Sequence, residues 1–344
     1  MEDGPPFSVG SCGRPRSFIG PLRHHGPVEL DRIDWKILQD LYRWDASNLP
    51  LGPLRISLRE LADCIGIHRN TVQLRLAALR RGGVLEGMVF EPRPRPIGLI
   101  RSGYLFHGAR PSDGDSLTDV LEAFPFVSSA VLCMDDVFVH LWHMTDRVPS
   151  QDAETIRLAL GAKEVLEGYV SSRFAPEPGD TARLSPDDIR LILALRRNPS
   201  RSMAAVAREL GLPTHTVERR AAKLIRQGVG AMVPRFRPSR VQGWILVHYV
   251  AMSGRAASGL AAAFPDRVIG PFGSGQIPTV MVPLSNIAEV EERRWKAEQL
   301  PGVGPLRVVL VRDVVYPERF EEWLADSVES VQPDWTRIET AVRN

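Results

Sequence analysis

Two stretches of this chain share one apolar skeleton. Leu58–Val84 (LRELADCIGIHRNTVQLRLAALRRGGV) and Met203–Val229 (MAAVARELGLPTHTVERRAAKLIRQGV) match at a constant offset of 145 residues. The pairs are Leu61/Val206, Ala62/Ala207, Ile65/Leu210, Gly66/Gly211, Val72/Val217, Arg75/Arg220, Leu79/Leu224, Gly83/Gly228 and Val84/Val229. A repeat of this length implies a duplicated folding unit, so the chain is read as two halves of similar plan.

Each copy reads as three helices. Asp31 caps the first helix of the first copy, with Asp34 in its opening turn, where the helix dipole favours a carboxylate. Ser185 caps its counterpart, and Pro186 takes the first helical position, where a missing N–H costs nothing. The stripe Ile37, Leu38, Leu41 matches Leu191, Ile192, Leu195. Here the offset is 154 (Asp34 to Asp188), which places a nine-residue excess of the first copy within Asp45–Ile56. Ser57 and Ser202 open the second helices, and the third end near Arg81 and Arg226 before glycine. The spacing is that of a helix-turn-helix, and the stretches Val84–Pro96 and Val229–Pro238 suit a small hairpin wing after each.

An αβ stretch follows each wing. The first reads as strand Leu99–Phe106, helix Leu117–Phe124, strands Val127–Leu132 and Val137–Trp142, helix Glu154–Leu160 and strand Val165–Phe174. The second reads as strand Trp244–Met252, helix Ala256–Phe264, strands near Arg267–Phe272 and Thr279–Val282, helix Ile287–Leu300 and strand Leu306–Val311. The order β-α-β-β-α-β is that of a ferredoxin-like unit. The predicted class is α+β, two repeats of a winged helix-turn-helix followed by a ferredoxin-like domain. The expected parts are a disordered N-terminal arm (1–28), a first head (29–97), a first αβ domain (98–174), a linker (175–183), a second head (184–241), a second αβ domain (242–316) and an acidic tail, helical in part (317–344).

Assembled in this way, the residues resemble the leucine-responsive regulatory protein (Lrp/AsnC) family, duplicated in tandem. Leu30-Asp31-Arg32-Ile33-Asp34-Trp35-Lys36-Ile37-Leu38 fits the family's LDxxDxxIL opening. Val72, Arg75, Leu79, Gly83, Val84 and Val217, Arg220, Leu224, Gly228, Val229 fill its third-helix pattern. The resemblance implies transcriptional regulation by binding double-stranded DNA, with a small metabolite such as an amino acid sensed between αβ domains. Gly273, Ser274 and Gly275 stand near where the family's glycine-rich ligand turn belongs, whereas the first copy lacks that turn. Family members dimerise through the αβ domain. One fused chain would then form that pair alone, as a monomeric pseudo-dimer, or join further copies in a larger homo-oligomer.

Charge is distributed as a DNA reader requires. The whole chain is nearly neutral at +2, yet His68–Arg95 carries +4 and Pro213–Arg240 carries +6. A basic helix beside a near-neutral body is the electrostatic footprint of a duplex binder. In the first head the candidates are Arg69, Asn70, Gln73, Arg75, Arg80, Arg81 and the wing's Arg93. In the second they are His215, Thr216, Arg219, Arg220, Lys223, Arg226 and the wing's Arg235 and Arg237. Arginine pairs with guanine, and asparagine or glutamine with adenine, so the unlike helix contents predict unlike half-sites. Arg75 and Arg220 suit an internal carboxylate or backbone better than a base.

Rival chemistry has less to stand on. The cysteines Cys12, Cys64 and Cys133 lack metal-ligand spacing, which points to a reducing, cytoplasmic setting, and no apolar run reaches the ~18–20 residues of a membrane span. His140 and His143, three apart on a strand, face opposite ways and cannot chelate together. Asp135-Asp136 reads as a turn. No cofactor motif is present, neither P-loop nor dinucleotide fingerprint. Sirohaem decarboxylases share the Lrp-like architecture, and such an enzyme would draw on His107, His140, Tyr104 and Tyr249. A non-catalytic scaffold would instead use the tail residues Trp323 and Trp335.

Overall fold

The computed structural model describes residues 27–43, 58–110, 116–144, 147–170, 183–197, 201–251, 257–267 and 279–331. It is a mixed helix-and-sheet protein. The first half runs β1 (Val28–Glu29), α1 (Arg32–Arg43), α2 (Leu58–Ile65), α3 (Arg69–Arg81), β2 (Leu85–Pro92), β3 (Leu99–His107), α4 (Leu117–Glu122), β4 (Val127–Cys133), β5 (Asp136–Met144), α5 (Pro149–Ala159) and β6 (Glu164–Val170). The second runs α6 (Pro186–Arg197), α7 (Met203–Leu210), α8 (Thr214–Arg226), β7 (Gly230–Phe236), β8 (Val241–Gln242), β9 (Ile245–Ala251), α9 (Ala257–Ala263), β10 (Thr279–Leu284), α10 (Ala288–Glu298), β11 (Leu306–Val315) and α11 (Arg319–Val331). Among the described residues, no helix is long and apolar enough to cross a membrane.

Local chemistry sets the helix ends. Asp31 Oδ1 accepts from the amides of Ile33 and Asp34, while Asp34 Oδ2 accepts from the Asp31 amide at 3.1 Å. Ser185 and Asp188 make the same reciprocal cap on α6. Helices α3 and α8 run out at Gly83 and Gly228, whose φ values of 72° and 71° suit glycine. The nine-residue excess, most of the 175–183 linker and the start of the N-terminal arm lie outside the described residues.

Seven strands form one antiparallel sheet in the order β10-β9-β11-β4-β5-β3-β6. The first half supplies β6-β3-β5-β4 and the second β11-β9-β10. The strand expected near 267–272 lies outside the described residues beyond Arg267, which belongs to no strand. The two sets join where the far end of β11 pairs with β4, from Val311↔Cys133 to Val315↔Ala130. The sheet is not flat. Three strand spacings separate β5 from β9, about 14 Å on a flat sheet, yet the rings of Phe138 and His248 lie 5.7 Å apart. Its inner faces therefore meet, and Leu105, Val131, Phe138, Leu246, Val250, Met281 and Val309 share one core. The outer faces carry the helices, with Tyr104, Val139 and Ile156 in one core and Tyr249, Val280 and Val290 in the other.

Two expectations fail. No hairpin wing forms in either copy; β2 pairs instead with β7 across the halves, from Leu85↔Phe236 to Pro92↔Gly230. Pro92, Pro94 and Pro96 lack the N–H groups that a return strand would need, so the partner strand comes from the other copy. The N-terminal arm does not run unstructured through residue 28, because Val28 pairs with Val241 in a short parallel ladder. The acidic tail, expected to be helical in part, opens with α11, whose Phe320, Leu324 and Val328 are buried in the core of the second head with Trp323 packed on it. Trp335 lies outside the described residues.

The crossing exchanges the partners of the heads. Helices α1–α3 share their core with Phe236 and Trp244 of the second half, and the indole of Trp244 donates to the Leu30 carbonyl at 2.7 Å. Helices α6–α8 share theirs with Phe90, Ile97, Leu99 and Trp142 of the first. Gly230 marks the closest approach, because a Cβ there would sit 2.5 Å from the Glu91 carbonyl oxygen and 2.6 Å from the Phe90 ring. Gly230→Ala should lower stability by about 1–3 kcal/mol through overpacking, read as a lower melting temperature with unchanged secondary structure.

Two buried histidines make the inner core sensitive to acid. His248 is 1% exposed, and neither ring nitrogen has a hydrogen-bond partner among the described residues. Burial pushes its pKa down to about 4. His140 is also held well below the usual range, by burial first and then by Arg101 and His248. The unfolded chain takes up a proton near pH 6.5 that the folded chain refuses. Stability should be complete above about pH 6.5 and should decline as pH falls toward 4. In thermal unfolding across that window, His248→Phe should flatten the decline.

Candidate nucleic-acid interface

The third helix of each three-helix unit turns one face inward and leaves the other to solvent. Val72, Leu76 and Leu79 of α3 are buried, as are Val217, Ala221 and Leu224 of α8. The opposite faces are open. Arg69, Asn70, Gln73, Arg80 and Arg81 are exposed on α3, and His215, Arg219, Lys223 and Arg226 on α8, with Thr216 half-buried beside them. Each helix presents its first turn freely; at α3 the His68 imidazole accepts from the Asn70 amide at 3.2 Å. Ten of the fifteen polar side chains singled out from the sequence thus stand on two solvent-facing helix surfaces.

The other five do different work. Arg75 turns back onto α1, bridging Asp31 at 2.8 Å and Asp34 at 3.1 Å. Arg220 repeats this on α6, reaching Asp187 at 3.1 Å, Asp188 at 3.2 Å and the Ser185 hydroxyl at 3.3 Å. Each arginine ties its third helix to the capping box of its own first helix. Desolvation raises the Asp34 carboxyl despite Arg75 and the backbone amide that lower it, so this is a group whose charge depends on its partner. Arg235 and Arg237 are corrections to the expected wing contacts. Arg235 is 12% exposed, bonded to Glu321 at 2.8 Å and lying 4.9 Å from the centre of the Tyr316 ring. Arg237 is bonded to Glu86 at 2.6 Å across the β2–β7 pair. Arg93 is half-buried, with its amide donating to the Val229 carbonyl at 2.7 Å. With no hairpin wing to carry them, Arg93 and Arg237 tie the halves together, while Arg235 bonds Glu321 of its own half.

An open depression of about 700 Å³ lies against α6 and α8, lined among others by Arg183, Asp188, Arg219, Arg220, Lys223 and Arg226. Asp188 is engaged by Arg220, which leaves Arg183, Arg219, Lys223 and Arg226 as a cationic rim. Arg183 falls in the expected linker and was missed; its only signal is a position one residue before the apolar start of the second head.

Other candidates are dispersed. Tyr104 and Tyr249 lie on the outer, helix-facing sides of the sheet, and the Tyr249 hydroxyl donates to the Val290 carbonyl at 3.0 Å. His140 and His107 lie on the inner side, and His143 turns outward to Ser102 and Asp152, as strand alternation requires. Asp136 is no simple turn residue. It is 2% exposed and accepts from Arg307 of the other half and from His107 at 2.6 Å. Gly273, Ser274 and Gly275 lie outside the described residues. Among the described residues, no cluster of three His, Cys, Asp or Glu is arranged to hold a metal.

Arg75→Met and Arg220→Met should each leave a buried carboxylate without its cation, costing about 1–3 kcal/mol. Thermal unfolding should register the loss, while base preference in any DNA complex should not change.

Residues 184–225 match the family model of the AsnC-type helix-turn-helix domain. No curated protein matches the chain. Among solved structures, a siroheme decarboxylase, NirDL, is similar at 10% identity and a TM-score of 0.46, over 87% of this chain and 99% of that one. An AsnC family transcriptional regulator from Agrobacterium tumefaciens is similar at 15% identity and a TM-score of 0.28, over 43% of this chain and 94% of that one. The leucine response regulatory protein LrpA of Mycobacterium tuberculosis gives 20% and 0.27, over 45% and 99%. At these scores the likenesses carry no weight for function. The match over α6, α7 and α8 does: this chain carries an AsnC-type helix-turn-helix domain, the feature of the Lrp/AsnC-type regulators it resembles.

Proposed function

We propose that the chain is a sequence-specific DNA-binding transcriptional regulator of Lrp/AsnC type, built from two fused halves that act as an intrachain pseudo-dimer. One observation carries the reading: the AsnC-type domain at 184–225 ends in a helix whose solvent face is lined by His215, Arg219, Lys223 and Arg226. The repeat of that plan in α1–α3 supports a second head, presenting Arg69, Asn70, Gln73, Arg80 and Arg81. In this reading each head lays its third helix in a major groove, base edges being met from the first turn and phosphates from the later cations. The ferredoxin-like strand orders support the reading of two αβ units, one per half.

The protein works by binding rather than by catalysis in this reading. The tyrosines and histidines an enzyme of this architecture would draw on are divided between the two faces of the sheet. A small metabolite such as an amino acid is its proposed effector, the cytoplasm its proposed compartment, and a single chain or a homo-oligomer its working form.

Fluorescence anisotropy with random duplex DNA, titrated across salt, tests the reading. Binding should weaken steeply as salt rises, because each phosphate contact releases counterions. Arg80→Ala and Lys223→Ala should each reduce the log–log slope by about one contact. Arg69→Ala or Asn70→Ala should relax base preference. No binding at low salt, or a slope unchanged when Arg80→Ala and Lys223→Ala are combined, would overturn it.

A further inference from the structure

The two third helices carry unlike residues at several matched positions. The offset that aligns Gly83 with Gly228 sets Leu74 against Arg219 and Ala78 against Lys223. Leu74 is 69% exposed, an unusual state for a leucine in the middle of a helix whose other leucines, Leu76 and Leu79, are 5% and 1% exposed. Its direction explains this. At 100° per residue, Leu74 stands opposite the buried Val72–Leu76–Leu79 stripe. It shares its ridge with Asn70 four residues before and Arg81 seven residues after, both exposed. The next turn offers only Ala77 and Ala78, so nothing bulky stands between this ridge and an approaching surface.

An apolar side chain that shares its ridge with Asn70 and Arg81, on a helix that also exposes Arg69, Gln73 and Arg80, is not dressed for an apolar protein surface, since burying those groups without partners is costly. A major groove meets both demands. Its walls are anionic, its floor offers hydrogen-bonding edges, and its one apolar projection is the C5 methyl of thymine. We infer that Leu74 is a specificity-determining residue that packs on a thymine methyl, beside an adenine contacted by Asn70, so that the first head selects an A·T-containing half-site. Arg219, at the same place on α8, cannot make that contact. It suits guanine O6 and N7, giving the second head a G·C-containing half-site. The inference rests on the DNA-binding reading and sharpens it to one base feature.

Deoxyuridine in place of thymidine deletes the methyl and leaves every hydrogen-bonding edge intact, so it isolates the contact. A duplex selected from a random library by the full chain would be resynthesised with deoxyuridine, one thymine position at a time. The wild-type chain should lose about fourfold in affinity at one position or two in one half-site, the equivalent of about 0.8 kcal/mol per apolar carbon buried. Leu74→Ala should bind the parent duplex correspondingly less well and ignore the deoxyuridine, whereas Arg219→Ala should keep the full sensitivity. Because Leu74 is exposed, its replacement leaves the fold intact, which an unchanged melting temperature checks. Binding that is indifferent to every deoxyuridine, or equally sensitive in Leu74→Ala, would overturn the inference while leaving DNA binding in place. Failure to bind any duplex at low salt would remove the reading beneath it. A Leu74→Ala chain that changed its sedimentation but not its DNA affinity would assign the leucine to a contact between copies and overturn it too.

Discussion

The pairing of β2 with β7 is the constraint on which the rest of the architecture depends. Each strand leaves its own three-helix unit and finds its partner in the other half. Beside this ladder the Arg196 side chain, 3% exposed, bridges Glu91 on β2 and Glu321 on α11. It also lies 5.8 Å and 4.8 Å from the ring centres of Trp142 and Phe320. Burial would raise the Glu91 carboxyl, but the guanidiniums of Arg196 and Arg101 hold it below the ordinary range. Removing one member of such a buried group strands the others, so the tie is far more costly to break than a surface ion pair. Helix, strand and tail from three distant parts of the sequence are thereby held at one point.

A consequence is that the two heads are not beads on a string. The first rests on Phe236 and Trp244 of the second half, and the second on Phe90, Leu99 and Trp142 of the first. The β11–β4 junction and the Asp136–Arg307 pair close the other end. On the proposed reading, two third helices fixed in this way would meet a duplex with their spacing already set. A symmetric dimer must assemble before it can offer two heads and then presents identical ones. A fused chain of the proposed kind would offer two at any concentration, with halves free to differ, as Leu74 and Arg219 do.

What was legible in the sequence follows from the range of the forces involved. Capping at Asp31 and Ser185 depends on neighbours three residues away and is visible in the chain itself. Strand β3 was expected at 99–106 and spans Leu99–His107, because alternation is a local signal. The exposed cations of α3 and α8 follow from a helical period. The choice of strand partner is not local: Leu85–Pro92 reads as a strand, but nothing within it names β7. The arginines expected on wings were misplaced for that reason, since Arg237 reaches Glu86 only through the cross-half pairing and Arg235 meets Glu321 of the distant α11. Asp136 looked like a turn because its cation, Arg307, stands 171 residues away. The role of Arg75 and Arg220 was half legible: an internal carboxylate was foreseen, though not that it would be the capping box itself.

Under the proposed function, one chain brings two heads to one duplex. Hydroxyl-radical footprinting on a selected site, paired with the mass of the complex by sedimentation, tests this directly. Two protected segments that appear together at the same protein concentration, with one chain per duplex, are the predicted result. A single protected segment, or a second that appears only as another chain joins, would contradict it.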